Sequence, residues 1–389
     1  MAWRRKGGLY LFLALVLLVG GWAVASATGW LERVQLRVFP SLRHRATLSA
    51  GDFPAGVTAP GGEVASIPLR PTLVGFVPSG SAAALLLATG GVGPEARPGL
   101  LKSAYAIDAR AVPFLREEDL RAALAEGGDR GGVDMAVVTV DRLAAWAPAL
   151  RDAAPRVEML LGRSRGEDAL AAVGVTSLAG LKGKRLGSAP QSPAHYFALW
   201  LLMRAGLTPL DVHWVDLPSS FDAGRALREG RADAVVGLAA DVEAAARERG
   251  GKVLATTADA PHLIASVVLA RGEFAARYPD AVRRILRGLV DANVAVLRDP
   301  VPAARLLGDV APQLGDPNEA VRSTAPATLK DNLAFFGLAG EAPVTYEELY
   351  QSALQLFARL ERRTEPLHGA GETLDLSALR GMAEARGRE

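Results

Sequence analysis

From Thr72 onward the chain alternates short apolar runs with amphipathic segments, and this alternation limits the possible folds more than any other feature. Residues 72–77, 107–114, 134–139 and 157–161 read as strands, with helices at 82–88 and 117–126. A second series places strands at 184–189, 212–217, 234–238 and 253–257, with helices at 193–205, 221–229 and 242–249. Strand–helix–strand order of this kind predicts an α/β architecture of parallel sheets with crossover helices. Residues 262–271 read as a strand returning to the first series, and the chain from about 274 onward reads as helical.

The two series share an internal similarity. Leu120-Arg-Ala-Ala-Leu-Ala-Glu-Gly leads to Asp134-Met-Ala-Val-Val-Thr and on to Asp141. Likewise Gly224-Arg-Ala-Leu-Arg-Glu-Gly leads to Asp233-Ala-Val-Val-Gly and on to Asp241. In each, a helix stops at glycine, an Asp opens an apolar strand, and a second Asp follows that strand's carboxyl end. Repetition of the unit predicts two lobes of like topology.

Composition removes several function classes. Cysteine is absent, which excludes disulfides, thiolate metal sites, iron–sulfur clusters and cysteine nucleophiles. Lys and Arg number 44 against 42 acids, a net charge of +2 with no long basic tract, so there is no electrostatic footprint for nucleic acid. The five histidines, His44, His195, His213, His262 and His368, have no metal-ligand spacing. No nucleophile elbow, phosphate-binding loop or dinucleotide fingerprint is present, so neither a cofactor nor an enzymatic role is expected.

At the amino terminus, Arg4, Arg5 and Lys6 precede an uncharged run of 25 residues, Gly7 to Leu31. A basic start before an apolar stretch directs export. The Ala23-Val24-Ala25 and Ala25-Ser26-Ala27 triplets suit cleavage of a signal peptide, whereas the length of the run suits a retained anchor; both readings stand. Residues 32–71, in which Gly and Pro cluster, read as a tether.

Leu178-Ala-Gly-Leu-Lys-Gly-Lys-Arg-Leu-Gly-Ser, Ser192 opening a helix, and Arg204-Ala-Gly-Leu-Thr before a strand together resemble the second lobe of type II periplasmic solute-binding proteins. The nearest branch is the nitrate, taurine and aliphatic-sulfonate group, with its thiamine-precursor binders. Arg228-Glu-Gly-Arg-Ala-Asp-Ala-Val-Val and Phe274-Ala-Ala-Arg-Tyr-Pro-Asp-Ala-Val-Arg-Arg fit the same group, so the resemblance covers about residues 72–310. It implies a two-lobed fold of mainly parallel sheets flanked by helices, preceded here by an N-terminal apolar helix. Lobe 1 would comprise residues 72–163 and 262–389, and lobe 2 residues 164–261. It also implies a monomeric periplasmic protein that captures a small solute for an inner-membrane ABC permease. The protein would be either anchored through its N-terminal segment or released. A precursor-biosynthesis enzyme on the same fold and a non-transport envelope sensor are the alternatives. The family's lipid-attachment cysteine is missing, and the Gly- and Pro-rich segment 89–101 replaces a compact turn.

Ligands of open α/β sheets sit beyond the carboxyl ends of strands, where helix N-termini offer free N–H groups. Ser79, Gly80 and Ser81 follow the first strand and serve either as a cap or as a ligand contact. Ser192 caps the helix beginning at Pro193 and is also a candidate ligand contact. His195 and Tyr196 lie in that helix's first turn, where they either donate to a ligand or, for His195, sit at the surface. Ser220 and Asp222 repeat the arrangement, with Ser219 or Ser220 as the cap. Asp141 and Asp241 sit at strand ends, where each either binds a cationic group or caps the next helix. His262, near the crossing back to the first lobe, either contacts the ligand or packs at the hinge. Serines and helix N-termini favour a small anion such as a sulfonate, nitrate or carboxylate. With aromatics at 6%, a large flat heteroaromatic ligand is disfavoured.

Overall fold

The computed structural model describes residues 66–93, 96–360 and 369–386. The apolar run 1–31 and the tether as far as residue 65 lie outside the described residues. Among the described residues no helix is long and apolar enough to cross a membrane.

Two sheets form the body. The first contains β1 (Thr72–Phe76), β2 (Ala109–Pro113), β3 (Met135–Thr139), β4 (Arg156–Ser164), β10 (Ala265–Ala270) and β11 (Thr324–Pro326), in the order β11-β4-β10-β3-β1-β2. The second contains β5 (Asp168–Ala172), β6 (Arg185–Ser188), β7 (His213–Asp216), β8 (Ala234–Leu238) and β9 (Lys252–Thr256), in the order β7-β6-β8-β5-β9. Every residue of β1, β3, β5 and β10 is buried. That explains their continuous apolar runs, since helices cover both faces of each sheet.

Each sheet is mixed but mainly of one direction: four of the six strands of the first sheet and four of the five of the second run the same way. Pairing is parallel within β2-β1-β3 and β7-β6-β8, but β10 runs antiparallel to β3 and β4, and β5 runs antiparallel to β8 and β9. The reason lies in the crossings. The strands β1, β3, β6 and β8 end at the space between the lobes. A strand entering a lobe from that space, as β5 and β10 do, must run the opposite way.

The lobes share one topology, with the order β7-β6-β8-β5-β9 corresponding strand for strand to β2-β1-β3-β10-β4. The repeated Asp before the third strand does the same work in both. Asp134 accepts from the N–H of Leu73, at the neighbouring strand, at 2.9 Å and from Arg70 at 2.6 Å. Asp233 accepts from the N–H of Arg185 at 2.9 Å and from the Arg185 guanidinium at 2.7 Å. Each carboxylate satisfies an N–H at the start of an adjacent strand, and so fixes its register.

The carboxyl-terminal region reaches both lobes. Helix Tyr346–Leu360 packs along helix Val140–Trp146 of the first lobe. Its Phe357 stacks on Tyr196 of the second lobe, with ring centroids 6.1 Å apart.

Candidate functional site

Two crossings join the lobes, β4 to β5 through residues 165–167 and β9 to β10 through residues 257–264. Thr257 ties them together. Its hydroxyl lies 2.7 Å from the Ser164 hydroxyl and accepts from the N–H of Gly166 at 3.0 Å. Beside this knot, a cavity of about 60 Å³ lies between the lobes, lined by loops at the carboxyl ends of β1 and β3 and by the loop after β7.

The cavity's charged lining is mostly acidic, and Thr139, Ser219 and Ser266 add hydroxyl groups to it. Glu117, Glu167 and Asp168 face it, together with Arg142, Ser79 and Ser220. Arg142 is held by Glu117 at 2.5 Å and lies over the Trp146 ring at 5.6 Å. Glu167 accepts from the N–H of Gly80, in the loop after β1. Gly80 cannot be larger, because a Cβ there would lie 1.9 Å from the Ala320 carbonyl oxygen. Asp168 is only 7% exposed. No hydrogen bond or ion pair to its carboxylate oxygens is found among the described residues. Its own N–H is a different matter, lying 3.3 Å from the Thr257 hydroxyl.

Burial sets the electrostatics. It pushes Glu117 and Glu167 up to about 7, against the opposing effects of Arg142 on both and of the Gly80 N–H on Glu167. Asp168 is raised well above the ordinary carboxylate range by burial, with Glu167, Asp141 and Glu117 adding to it and Arg142 opposing. Asp141 is buried behind the lining and raised to about 6, again chiefly by burial.

The residues singled out from sequence divide into distinct groups. Ser79 and Ser220 line the cavity, and Gly80 borders it through its bond to Glu167. Ser81 is buried with a hydroxyl that has no partner among the described residues. Ser192 is fully buried and its hydroxyl is committed, accepting from the His195 N–H at 3.1 Å and donating to the Ala189 carbonyl at 2.7 Å. His195 and Tyr196 are not among the residues that line the cavity. His195 packs edge-on against Trp214 at 4.8 Å, while Tyr196, raised to about 12 by burial, lies against Phe357.

Asp222 accepts from the Ser219 hydroxyl at 2.8 Å, and Asp241 accepts from the Gly224 N–H at 3.0 Å and from Arg228 at 2.9 Å. Both are therefore tied within the second lobe. Asp141 is not a helix cap, because Thr139 occupies the N-cap position. His262 is half-buried and held below its usual pKa by burial and by Arg163. The sequence reading missed Glu117, Arg142, Glu167 and Asp168. The available signal was Glu167-Asp168, a pair of acids directly before an apolar run at the crossing point.

Residues 168–303 match the family model described as NMT1/THI5 like. The periplasmic aliphatic sulphonate binding protein SsuA of Escherichia coli shares the fold with a TM-score of 0.60 at 18% identity, covering 78% of this chain and 91% of that one. The fold is that of the periplasmic solute-binding proteins. The same periplasmic-binding-protein fold appears in the nitrate-binding protein NrtA of Synechocystis PCC 6803, with a TM-score of 0.59 at 14% identity over 81% of this chain and 88% of that one. The desulfurization enzyme DSZB also has it, with a TM-score of 0.54 at 14% identity over 81% and 99% of the two chains. No curated protein matches the sequence significantly. Within the periplasmic-binding-protein fold, the cavity of this chain lies where the two lobes meet, at the carboxyl ends of their parallel strands.

Proposed function

We propose that this chain is an exported solute-binding protein that holds a small molecule between its lobes and delivers it to an ABC importer in the inner membrane. The single observation that carries the reading is the cavity at the crossing strands, enclosed by loops from both lobes. Support comes from the NMT1/THI5-like match over residues 168–303 and from relatives whose names describe binding of sulphonate and nitrate. The basic and apolar amino terminus supports export, with the protein either cleaved or retained as an anchored form. An anionic solute, expected from serines and helix N-termini, finds little support in this cleft. Its lining sets three carboxylates, Glu117, Glu167 and Asp168, against one guanidinium. The enzyme DSZB keeps a catalytic alternative open for the fold.

The test is mass spectrometry of small molecules released from protein purified out of the envelope fraction, compared with a Ser220→Trp variant whose side chain would fill the cavity. A stoichiometric small molecule present in the wild type and absent from the variant is expected. Recovery of the protein from the cytosol with an intact amino terminus would contradict the export half of the proposal. A molecule recovered chemically altered after incubation would favour an enzyme.

A further inference from the structure

We propose that the interlobe cavity is a cation site, and that its solute carries a protonated amine for which Asp168 is the counter-ion. This rests on the solute-binding reading above and narrows it to a chemical class. The lining holds three carboxylates and one guanidinium. Arg142 is already committed to Glu117 at 2.5 Å, which leaves Glu167 and Asp168 without a cationic partner among the described residues. Glu167 retains the Gly80 N–H. Asp168 retains nothing at its carboxylate, although it is only 7% exposed and faces the cavity.

A buried, unpartnered carboxylate is costly, and proteins keep such groups where something else completes them. Burial raises the proton affinity of Glu117, Glu167 and Asp168, the direction expected of carboxylates short of cationic partners. A ligand cation would supply such a partner through charge-assisted hydrogen bonds.

The donor set and the size of the space narrow the class further. Among the described residues no three His, Cys, Asp or Glu side chains converge as a metal site would require, so a bare metal ion lacks its ligand shell. A volume of about 60 Å³ admits a head the size of an ammonium group. Ser79 and Ser220 stand ready to accept its remaining N–H donors. Apolar lining from Val137, Leu238 and Ile264 suits a short alkyl chain behind that head. A sulfonate or nitrate placed in the same space would instead confront Asp168 and Glu167 directly.

The experiment is calorimetric titration and thermal melting of the full-length protein against two matched panels. One holds methylammonium, ethanolamine and 1,4-diaminobutane; the other holds nitrate, acetate and ethanesulfonate. At least one amine is expected to bind and to raise the Tm. Its affinity should fall tenfold or more between pH 8 and pH 5, as Asp168, Glu167 and Glu117 take up protons with Asp141 behind them and Arg142 unchanged.

Asp168→Asn should abolish amine binding and melt above the wild type at pH 7.5 without ligand, because it removes an uncompensated buried acid. A variant that melts lower would make Asp168 a structural residue and overturn the proposal. Amine binding undiminished in Asp168→Asn would overturn it equally. Should that variant not fold, Glu167→Gln, which can still accept from Gly80, must weaken amine binding at least tenfold. Binding of anions but not amines would overturn the cation inference and leave the solute-binding reading standing. Binding of neither panel, with no molecule recovered from the envelope protein, would sink both.

Discussion

Glu167 shows how one residue can be legible in sequence yet change meaning in structure. As text, Glu167-Asp168 is a charged pair before an apolar run, which ordinarily marks a solvated turn. In the fold, the chain crosses between lobes there, so the pair is carried into the cleft rather than out to water. A carboxylate whose folded-state pKa is raised binds protons more tightly when folded, so stability falls as pH rises from its unfolded value through the folded one. For Glu167 that window runs from about 4.5 to about 7. Glu167→Gln should therefore match the wild type near pH 4 and exceed it at pH 8 by roughly 1–3 kcal/mol, measured by urea unfolding at both pH values. Equal stability at both would place the carboxyl in water.

Ser192 is the opposite case, with its cap legible from Ser192-Pro193 and its hydroxyl fully spent inside the protein. Its φ of −88° is one any residue adopts. Ser192→Gly should cost only about 0.5 kcal/mol and leave solute affinity within about twofold, as titration would show. The acids that line the cavity were harder to find than Ser79 and Ser220, because burial of an acid depends on tertiary placement that no local spacing encodes.

At the scale of elements, the strands that alternate with helices were readable because their apolar runs are uninterrupted. β5 was not. Asp168-Ala-Leu-Ala-Ala has little intrinsic strand preference, and it becomes a strand because it is flanked on both sides, by β8 and β9. The repeat was readable for a physical reason: Asp134 and Asp233 each anchor a neighbouring strand, so the same residue is required twice. What the repeat did not encode was the direction of the crossing strands, which follows from their route into each lobe. The junction of those crossings hangs on Thr257, fully buried and bonded to Ser164 and Gly166. Thr257→Val keeps the shape and removes the hydroxyl. It should destabilise by about 1–3 kcal/mol through the N–H and hydroxyl groups left unpaired, and it should speed amide exchange at Gly166 more than at Val74 in the first sheet. Uniform exchange would mean that the junction is no weaker than the core.

For the whole molecule, the arrangement is two lobes of one topology joined by a pair of crossing strands, with the helix Tyr346–Leu360 reaching from one lobe to the other. The crossings form a thin, bonded junction beside the cavity, a geometry suited to hinge closure. The central claim is that a solute is held between the lobes, and interlobe distance reports on it directly. Because the chain has no cysteine, Leu210→Cys in the second lobe and Leu297→Cys in the first give a unique pair of spin labels, at positions 94% and 52% exposed. Pulsed electron–electron resonance should give a broad distance distribution for the solute-free protein. Saturation with the solute recovered from the envelope protein should collapse it to a single narrow distance, and Asp168→Asn should keep it broad. An identical distribution with and without that solute would contradict a binding site between moving lobes.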